Sequence, residues 1–321
     1  DEIIVTAERR QQSVQTIPIA VSAISGAALA KDNVVQVNDL QRVTPSLTVQ
    51  DAGITKFINI RGVGLNGSAP GLSSGVSYHI DGLFTRELGL STPYYDIERI
   101  EVLRGPQGTL AGQNATGGAI FVVTKTPDLG EVSGAGAISY ASYDHVTADA
   151  ALNLPAGEMV ALRVAGYYES RDSFFDNYLT GSTTKSNFQP GNLERFALRG
   201  SLLFKPTDTL SVMLRGEHVD QKSDGFAQRN LALNPTQPWR LNYNTPSRAN
   251  ITSTRVSGEI KWDIADAVQL RSLTGFQKYK LDIIYATDGA PATALPSAHN
   301  ISQPVFSQEF NLVSINKSPF Q

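Results

Sequence analysis

Two short runs have the residue types and spacing that chemistry would need. Gly62-Val63-Gly64-Leu65-Asn66-Gly67 has the glycine spacing of a dinucleotide-binding turn, and Asp81 lies where an acidic residue would meet a ribose. That chemistry also requires a helix directly after the glycines, because its N-terminal N–H groups hold the pyrophosphate. Here the chain continues Ser68-Ala69-Pro70-Gly71-Leu72-Ser73-Ser74-Gly75, which has no helical pattern. A glycine-rich loop is the better reading. Gly71-Leu72-Ser73-Ser74-Gly75, with His79 close by, has the spacing of a nucleophile elbow. An elbow joins a strand to a helix, whereas Val76-Ser77-Tyr78-His79-Ile80 alternates as a strand does.

The remaining candidates are sparse. His79, His145, His218 and His299 are not paired at metal-ligand spacing, and isolated exposed or loop positions account for them. Gly112 to Gly118 lacks the lysine of a phosphate-binding loop. The absence of cysteine excludes disulfides, thiolate metal sites and a cysteine nucleophile. No catalytic constellation, metal site or cofactor site emerges, so the sequence reads as a non-enzyme. A net charge of -3 argues against a nucleic-acid partner, which needs a basic face.

The elements that would position these residues fall into two regions meeting near Pro127. With 321 residues the prior is about two domains, or one large β domain. Charged residues are 18% and hydrophobic residues 41%, so few charges come without a surplus of apolar residues. No apolar stretch is long enough for a transmembrane helix, and a signal peptide is either absent or already removed. Residues 1–126 read as a small α+β unit. A strand is expected over 17–24, and Ser25 caps a short helix through Ala30. Asn38 is the expected cap of a second helix that must stop before Pro45. Phe57 to Arg61, Val76 to Ile80, Arg99 to Leu103 and Ala119 to Thr124 read as further strands.

The second region alternates with period two over eight candidate strands, roughly 131–143, 146–154, 159–171, 194–206, 209–221, 253–264, 267–284 and 303–315. Val160, Leu162 and Val164 share one face, and Ala161, Arg163 and Ala165 the other. A soluble sandwich also alternates, so alternation leaves both architectures open. The connections favour a membrane barrel: from the second onward, tight turns alternate with long polar segments near 172–193, 222–252 and 285–302. Tyr140, Tyr143, Tyr167 and Tyr168 toward the loops, with Phe204 and Trp262 toward the turns, read as interfacial girdles. Eight strands alone make a barrel filled by its own side chains, so either the first region sits outside or these strands belong to a larger barrel.

Two segments carry more specific information. Asp1-Glu2-Ile3-Ile4-Val5-Thr6-Ala7 is a β-prone run, either an ordinary edge strand or a detachable one that pairs with a partner's sheet edge. Ile97 to Leu110, followed by Asn114-Ala115-Thr116-Gly117-Gly118-Ala119-Ile120, alternates charge and apolar residues before a Gly/Pro turn. This stretch resembles the plug signature of TonB-dependent outer-membrane receptors. Asn59-Ile60-Arg61-Gly62 and Tyr78-His79-Ile80-Asp81-Gly82 resemble its two preceding plug strands, Asp1 to Ala7 resembles the TonB box, and Phe306-Ser307-Gln308-Glu309 resembles a barrel strand.

The resemblance implies a membrane β-barrel of 22 strands with an N-terminal α+β plug. Residues 1–10 would be TonB box and linker, 11–127 the plug, and 128–321 the first part of the barrel. It also implies that about fourteen strands of such a barrel lie outside this sequence. The implied activity is import of a scarce extracellular ligand, an iron siderophore foremost, driven by TonB and its inner-membrane complex. Carbohydrate or cobalamin, or a docking role in a lipoprotein or surface assembly, is the alternative. Outer-membrane lipid and lipopolysaccharide are the implied surroundings. By position, Ile3, Ile4, Val5, Thr6 and Ala7 would contact TonB. Arg61, Gly62, Asp81, Gly82, Glu101, Arg104, Gly105, Gly117 and Gly118 would form the plug framework, its charges pairing with barrel charges such as Arg163, Arg199 or Glu217. Arg61, Arg86 and Tyr94, in or beside the apical segments 63–76 and 84–94, would face a ligand. One departure stands out: family members often have Tyr and Arg where this chain has Ala111 and Gln113.

Overall fold

Apolar alternation in the first third is short and interrupted by glycines, and over residues 20–126 it builds two small sheets. The computed structural model describes residues 4–5, 12–13, 20–51, 56–65, 74–112, 114–178, 184–228, 237–242, 246–286 and 296–315. The chain divides into two units, Asp1–Thr126 and Pro127–Gln321.

In the first unit, β1 (Val21–Ser25) leads into α1 (Gly26–Lys31), where the Ser25 hydroxyl accepts from Ala28 N at 3.2 Å as an N-cap should. The second helix is capped differently from expectation. A 3₁₀ turn at Val37–Asp39 precedes α2 (Leu40–Val43), and the Asp39 carboxylate accepts from Val35 N and Gln36 N, both at 3.1 Å. The Asp39 side chain closes back on the chain and satisfies two backbone N–H groups, while the Asn38 amide is drawn away to Asp51 and Lys56.

A strand the sequence reading missed, β2 (Leu47–Asp51), pairs with β3 (Lys56–Ile60), which turns back into β4 (Val63–Gly64). The larger sheet uses β5 (Val76–Ile80), β6 (Leu83–Phe84), β7 (Ile97–Arg104) and β8 (Gly118–Thr124) in the order β1-β7-β8-β5-β6, with β8 and β5 parallel. Arg61-Gly62 (φ 53°, 79°) and Asp81-Gly82 (φ 50°, 84°) close the two hairpins; two successive positive φ values are what a two-residue turn matched to strand twist demands. Leu40, Ile60, Ile100, Val102 and Ile120 are fully buried in one core cluster. Each contributes about 1.5–3 kcal/mol by leaving water.

The second unit is one antiparallel sheet of eight strands in sequence order: β9 (Ser133–Ala141), β10 (His145–Ala156), β11 (Val160–Arg171), β12 (Leu193–Thr207), β13 (Leu210–Lys222), β14 (Arg248–Ala265), β15 (Val268–Ala286) and β16 (Pro296–Ser314). All eight expected strands are present. The last three run longer than expected in places: β14 starts at Arg248 rather than 253, and β16 at Pro296 rather than 303. Apolar alternation ends near Val256 and Phe306, but backbone pairing continues past it, held partly by the Arg248–Asp282 ion pair at 2.8 Å.

The two faces of this sheet have reversed polarity. Leu162, Val164, Leu198, Leu202, Leu214, Val256, Ile260 and Phe276 are exposed, while Arg163, Glu169, Arg195, Arg199, Glu217, Arg255 and Gln277 are buried. A sheet stabilised by water does the opposite, because burying charge and exposing a wide apolar face both cost free energy. The soluble sandwich therefore fails on the faces, and lipid is the medium that reverses the sign. Among the described residues no helix is long and apolar enough to cross a membrane.

Tyr140 and Tyr168 near the long loops, and Phe204 and Trp262 near the turns, are all exposed on the apolar face. Tyr167 is not part of that girdle. It is one residue out of phase, 4% exposed, and donates to Glu169 Oε2 at 3.0 Å on the polar face. A Leu214→Arg substitution, near the middle of β13, is expected to cost about 2–4 kcal/mol in bilayer unfolding measurements. Unchanged stability would place that face in water.

Candidate functional site

Three groups of residues have positions that bear on function. The first is the N-terminal segment. Ile4–Val5 pairs antiparallel with Gln12–Ser13, Ile4 opposite Ser13 and Val5 opposite Gln12. The segment is thus a strand already bound through its backbone. Ile3, Thr6 and Ala7 lie outside the described residues.

The second group is the framework of the first unit. Asp81 closes the β5–β6 hairpin, and its Oδ1 accepts from Thr124 N at 2.9 Å and Thr124 Oγ1 at 3.0 Å. One carboxylate thereby fastens the turn to the end of β8. Asp81→Ala is expected to lower plug stability by about 1–3 kcal/mol in denaturant titration; no loss would show that the turn holds itself. Glu101, fully buried on β7, accepts from Arg99 Nε at 2.8 Å. Arg104 donates to Ser22 Oγ at 3.0 Å, tying the end of β7 to β1. Gly105 N donates to Gly117 O at 3.0 Å. Gly118 has φ +150°, and a Cβ there would stand 2.2 Å from Leu103 O. Only glycine lets these backbones meet.

The residues expected to face a ligand separate. Arg61 and Arg86 are exposed, on the β3–β4 turn and just before the 3₁₀ turn Glu87–Ser91. Tyr94 is buried at 8% exposure, and its hydroxyl meets that of Tyr78 at 2.9 Å. Burial, and then Tyr78, pushes its phenol well above the ordinary value. Unlike Arg61 and Arg86, it belongs to the buried core cluster of the plug. A cleft lined by Lys56, Leu65, Ser74, Phe84, Thr85 and Glu87 borders the two apical segments. Lys56 and Glu87 carried no motif signal, because strand-end and turn charges resemble ordinary solvated ones. Ala111 packs with Ala115 and Ala119, with Phe121 against them, in a small cluster; Gln113 lies outside the described residues.

The two motifs with chemical spacing are described only in part. Val63–Gly64, inside the glycine run, is a strand, and residues 66–73 lie outside the described region. His79 is in β5, not a loop: it is 7% exposed, bonded to Ser77 Oγ at 2.6 Å and stacked on Phe121 at 4.9 Å. His145, His218 and His299 also lie in strands.

The third group is the polar face of the second unit. Arg199 Nη1 and Arg255 Nη2 both donate to Glu217, at 3.1 and 2.7 Å. Arg195 bridges Glu169 at 3.0 Å and Gln221 at 2.7 Å. Arg271 joins Glu259 at 2.6 Å and Glu309 at 3.2 Å. Charges thus run across β11 to β16 as three cross-strand clusters. At the loop end, Asp176–Asn177 pairs with Arg240–Leu241, and Asp224 accepts from Gln189 N and Asn192 Nδ2. Arg171 stacks on Phe174 at 3.9 Å and Arg240 on Tyr178 at 4.2 Å, while Trp239 remains 63% exposed.

A hairpin-rich α+β unit ahead of a sheet that exposes leucine and buries arginine defines an outer-membrane β-barrel with an N-terminal plug. Residues 13–119 match the TonB-dependent Receptor Plug Domain family. The chain carries a plug domain of the TonB-dependent receptors, over residues 13–119, and part of an outer-membrane barrel. It is 32% identical over 207 residues to the iron-regulated outer membrane virulence protein of Vibrio cholerae, covering 59% of this chain and 31% of that one. Its fold is similar to the crystal structure of the ferric yersiniabactin uptake receptor FyuA from Yersinia pestis (TM-score 0.80, 20% identity, 94% of this chain, 46% of that chain). The ferric-catecholate import receptor Fiu from E. coli K12 is also similar (TM-score 0.73, 19% identity, 96% and 48%). The chain spans less than half the length of each.

Proposed function

We propose that this chain is the energised and gated part of an outer-membrane importer for a scarce extracellular chelate, with a ferric siderophore as the foremost ligand. The observation that carries the reading is a plug-family unit followed by a sheet whose buried face carries charge clusters and whose exposed face is apolar. The names of the relatives, an iron-regulated protein and two ferric-chelate receptors, support iron as the cargo. The exposed Arg61 and Arg86 of the plug are the candidate ligand contacts. TonB then captures the strand containing Ile4 and Val5, adding its own sheet edge through backbone hydrogen bonds. Traction on that strand remodels the plug, whose framework charges Asp81, Glu101 and Arg104 are paired with residues of the plug itself, Thr124, Arg99 and Ser22.

The test is uptake of radiolabelled ferric siderophores by iron-starved cells with and without the receptor. Uptake lost on deletion and restored by the gene supports the reading; equal uptake for every chelate tried removes iron as the cargo. A second reading has one favouring observation, the knitted loop pair that leaves Trp239 exposed. In it the loops dock a surface protein instead of a solute. Co-purification of a stoichiometric protein partner, lost in Trp239→Ala, would select it.

A further inference from the structure

The chain passes from the first unit to the second over a few residues, and one side chain holds that passage. Lys125 N still bonds inside the first unit, to Asp96 O at 3.0 Å. Strand β9 begins its pairing at Ser133, opposite Asn153 of β10. Residues 126–132 form the strap between them. Pro127 is buried and Leu129 half-buried. The Asp128 carboxylate accepts from Gly130 N at 2.7 Å, which turns the strap through a local side-chain bond.

Asn153 is fully buried, and Arg163, also buried, stands opposite it on β11. Its Oδ1 accepts from Asp128 N at 2.9 Å. Its Nδ2 donates to Asp128 O and to Glu131 O, both at 2.9 Å. A carboxamide carries one carbonyl and two N–H donors. Here all three meet strap backbone, and one N–H facing two carbonyls allows the amide only this orientation. Burial of an amide costs free energy unless its polar atoms are satisfied in this way. The strap is therefore read by its backbone alone, by a residue fixed in a paired barrel strand.

We propose that Asn153 is a mechanical anchor: it fixes the end of the first unit to the barrel wall, so that a pull on that unit is resisted at Asp128 and not at Ser133. The difference is slack. Lys125 to Asp128 is three residue steps, which span at most about 10 Å. Lys125 to Ser133 is eight steps, at most about 27 Å. Without the anchor, up to about 17 Å of displacement goes into straightening the strap. With it, the same displacement strains the first unit's own sheets. This role rests on the import reading above, in which traction starts at the strand containing Ile4 and Val5.

The test is single-molecule pulling of the full receptor in lipid bilayers from its N-terminus. Extension of the first unit should end in a separate rupture that releases about 17 Å of chain, ahead of the ruptures of β9 to β16. Asn153→Ala should lose that step and keep the later ones, which report an intact barrel. Asn153→Asp, of the same size, should lose it too, because a carboxylate has no donors for the two strap carbonyls. Hydrogen exchange at the Asp128 amide should quicken roughly five- to hundredfold in Asn153→Ala. An unaltered receptor without the step, a step that survives in Asn153→Ala, or unchanged exchange at Asp128 each overturns the anchor. A receptor that shows the step yet takes up no ferric chelate overturns the import reading and leaves the anchor standing, so the two failures are distinguishable.

Discussion

Val5→Pro is expected to reduce energised uptake to the level of cells lacking TonB while leaving ligand affinity at the cell surface unchanged. Val5 lies in a backbone-paired strand, opposite Gln12. A strand that exchanges one β partner for another does so through its N–H and C=O groups, with little demand on side chains. Proline removes the N–H and fixes φ, so both the resting pair and the pair with a partner lose a hydrogen bond. Val5→Ile retains both groups and should transport normally. Ligand binding, proposed at Arg61 and Arg86 and not at this strand, is the internal control. Uptake that survives Val5→Pro would assign coupling to another segment.

Glu217→Ala should have the largest effect on the barrel wall. Arg199 and Arg255 share this carboxylate, and all three side chains are less than 10% exposed. Removing the acid leaves two guanidinium groups buried without their common counter-charge. A buried pair broken from one side costs about 3–5 kcal/mol, far more than the surface value. Glu217→Gln keeps an acceptor but not the charge and should fall between. Glu194→Ala, an exposed acid on the other face, is the matched control and should change stability by less than about 0.5 kcal/mol. Urea unfolding of the folded receptor in lipid reads all three. Equal stability of Glu217→Ala and Glu194→Ala would make the cluster ornamental.

Much of this was readable before any coordinates. Period-two alternation placed all eight barrel strands because a strand facing two media must write both into its sequence, as Leu198-Arg199-Gly200-Ser201-Leu202 does. Ser25 announced its helix through a local hydrogen bond that needs no tertiary context. Where the reading went astray, the deciding contact was distant or out of phase. Asn38 is a good cap by type, yet Asp39 closes on Val35 and Gln36 while Asn38 is drawn to Asp51 and Lys56 across the small sheet. Leu47–Asp51 became a strand only because Lys56–Ile60 turns back beside it. Tyr167 and Tyr168 look equivalent in a list of aromatics, but parity sends one to lipid and the other to Glu169.

The site was less legible than the fold. Plug framework residues carry motif signal because glycine and turn geometry are constrained locally, as at Asp81-Gly82. The clustered charges Arg195, Arg199, Glu217 and Arg255 carry almost none individually. Their meaning lies in cross-strand register, which joins residues 18 to 38 positions apart.

The central claim is that the apolar face of the eight-stranded sheet meets lipid and the charged face does not. The chain has no cysteine, so single labels can be placed without background. Nitroxide labels at Leu214→Cys and Val256→Cys, on the receptor in bilayers, are compared with labels at Gln277→Cys and Ser257→Cys. The account predicts strong relaxation of the first pair by oxygen dissolved in lipid and weak relaxation by a water-soluble nickel chelate, with the second pair showing no such lipid signature. The reverse pattern, or no difference between adjacent even and odd positions, would contradict it.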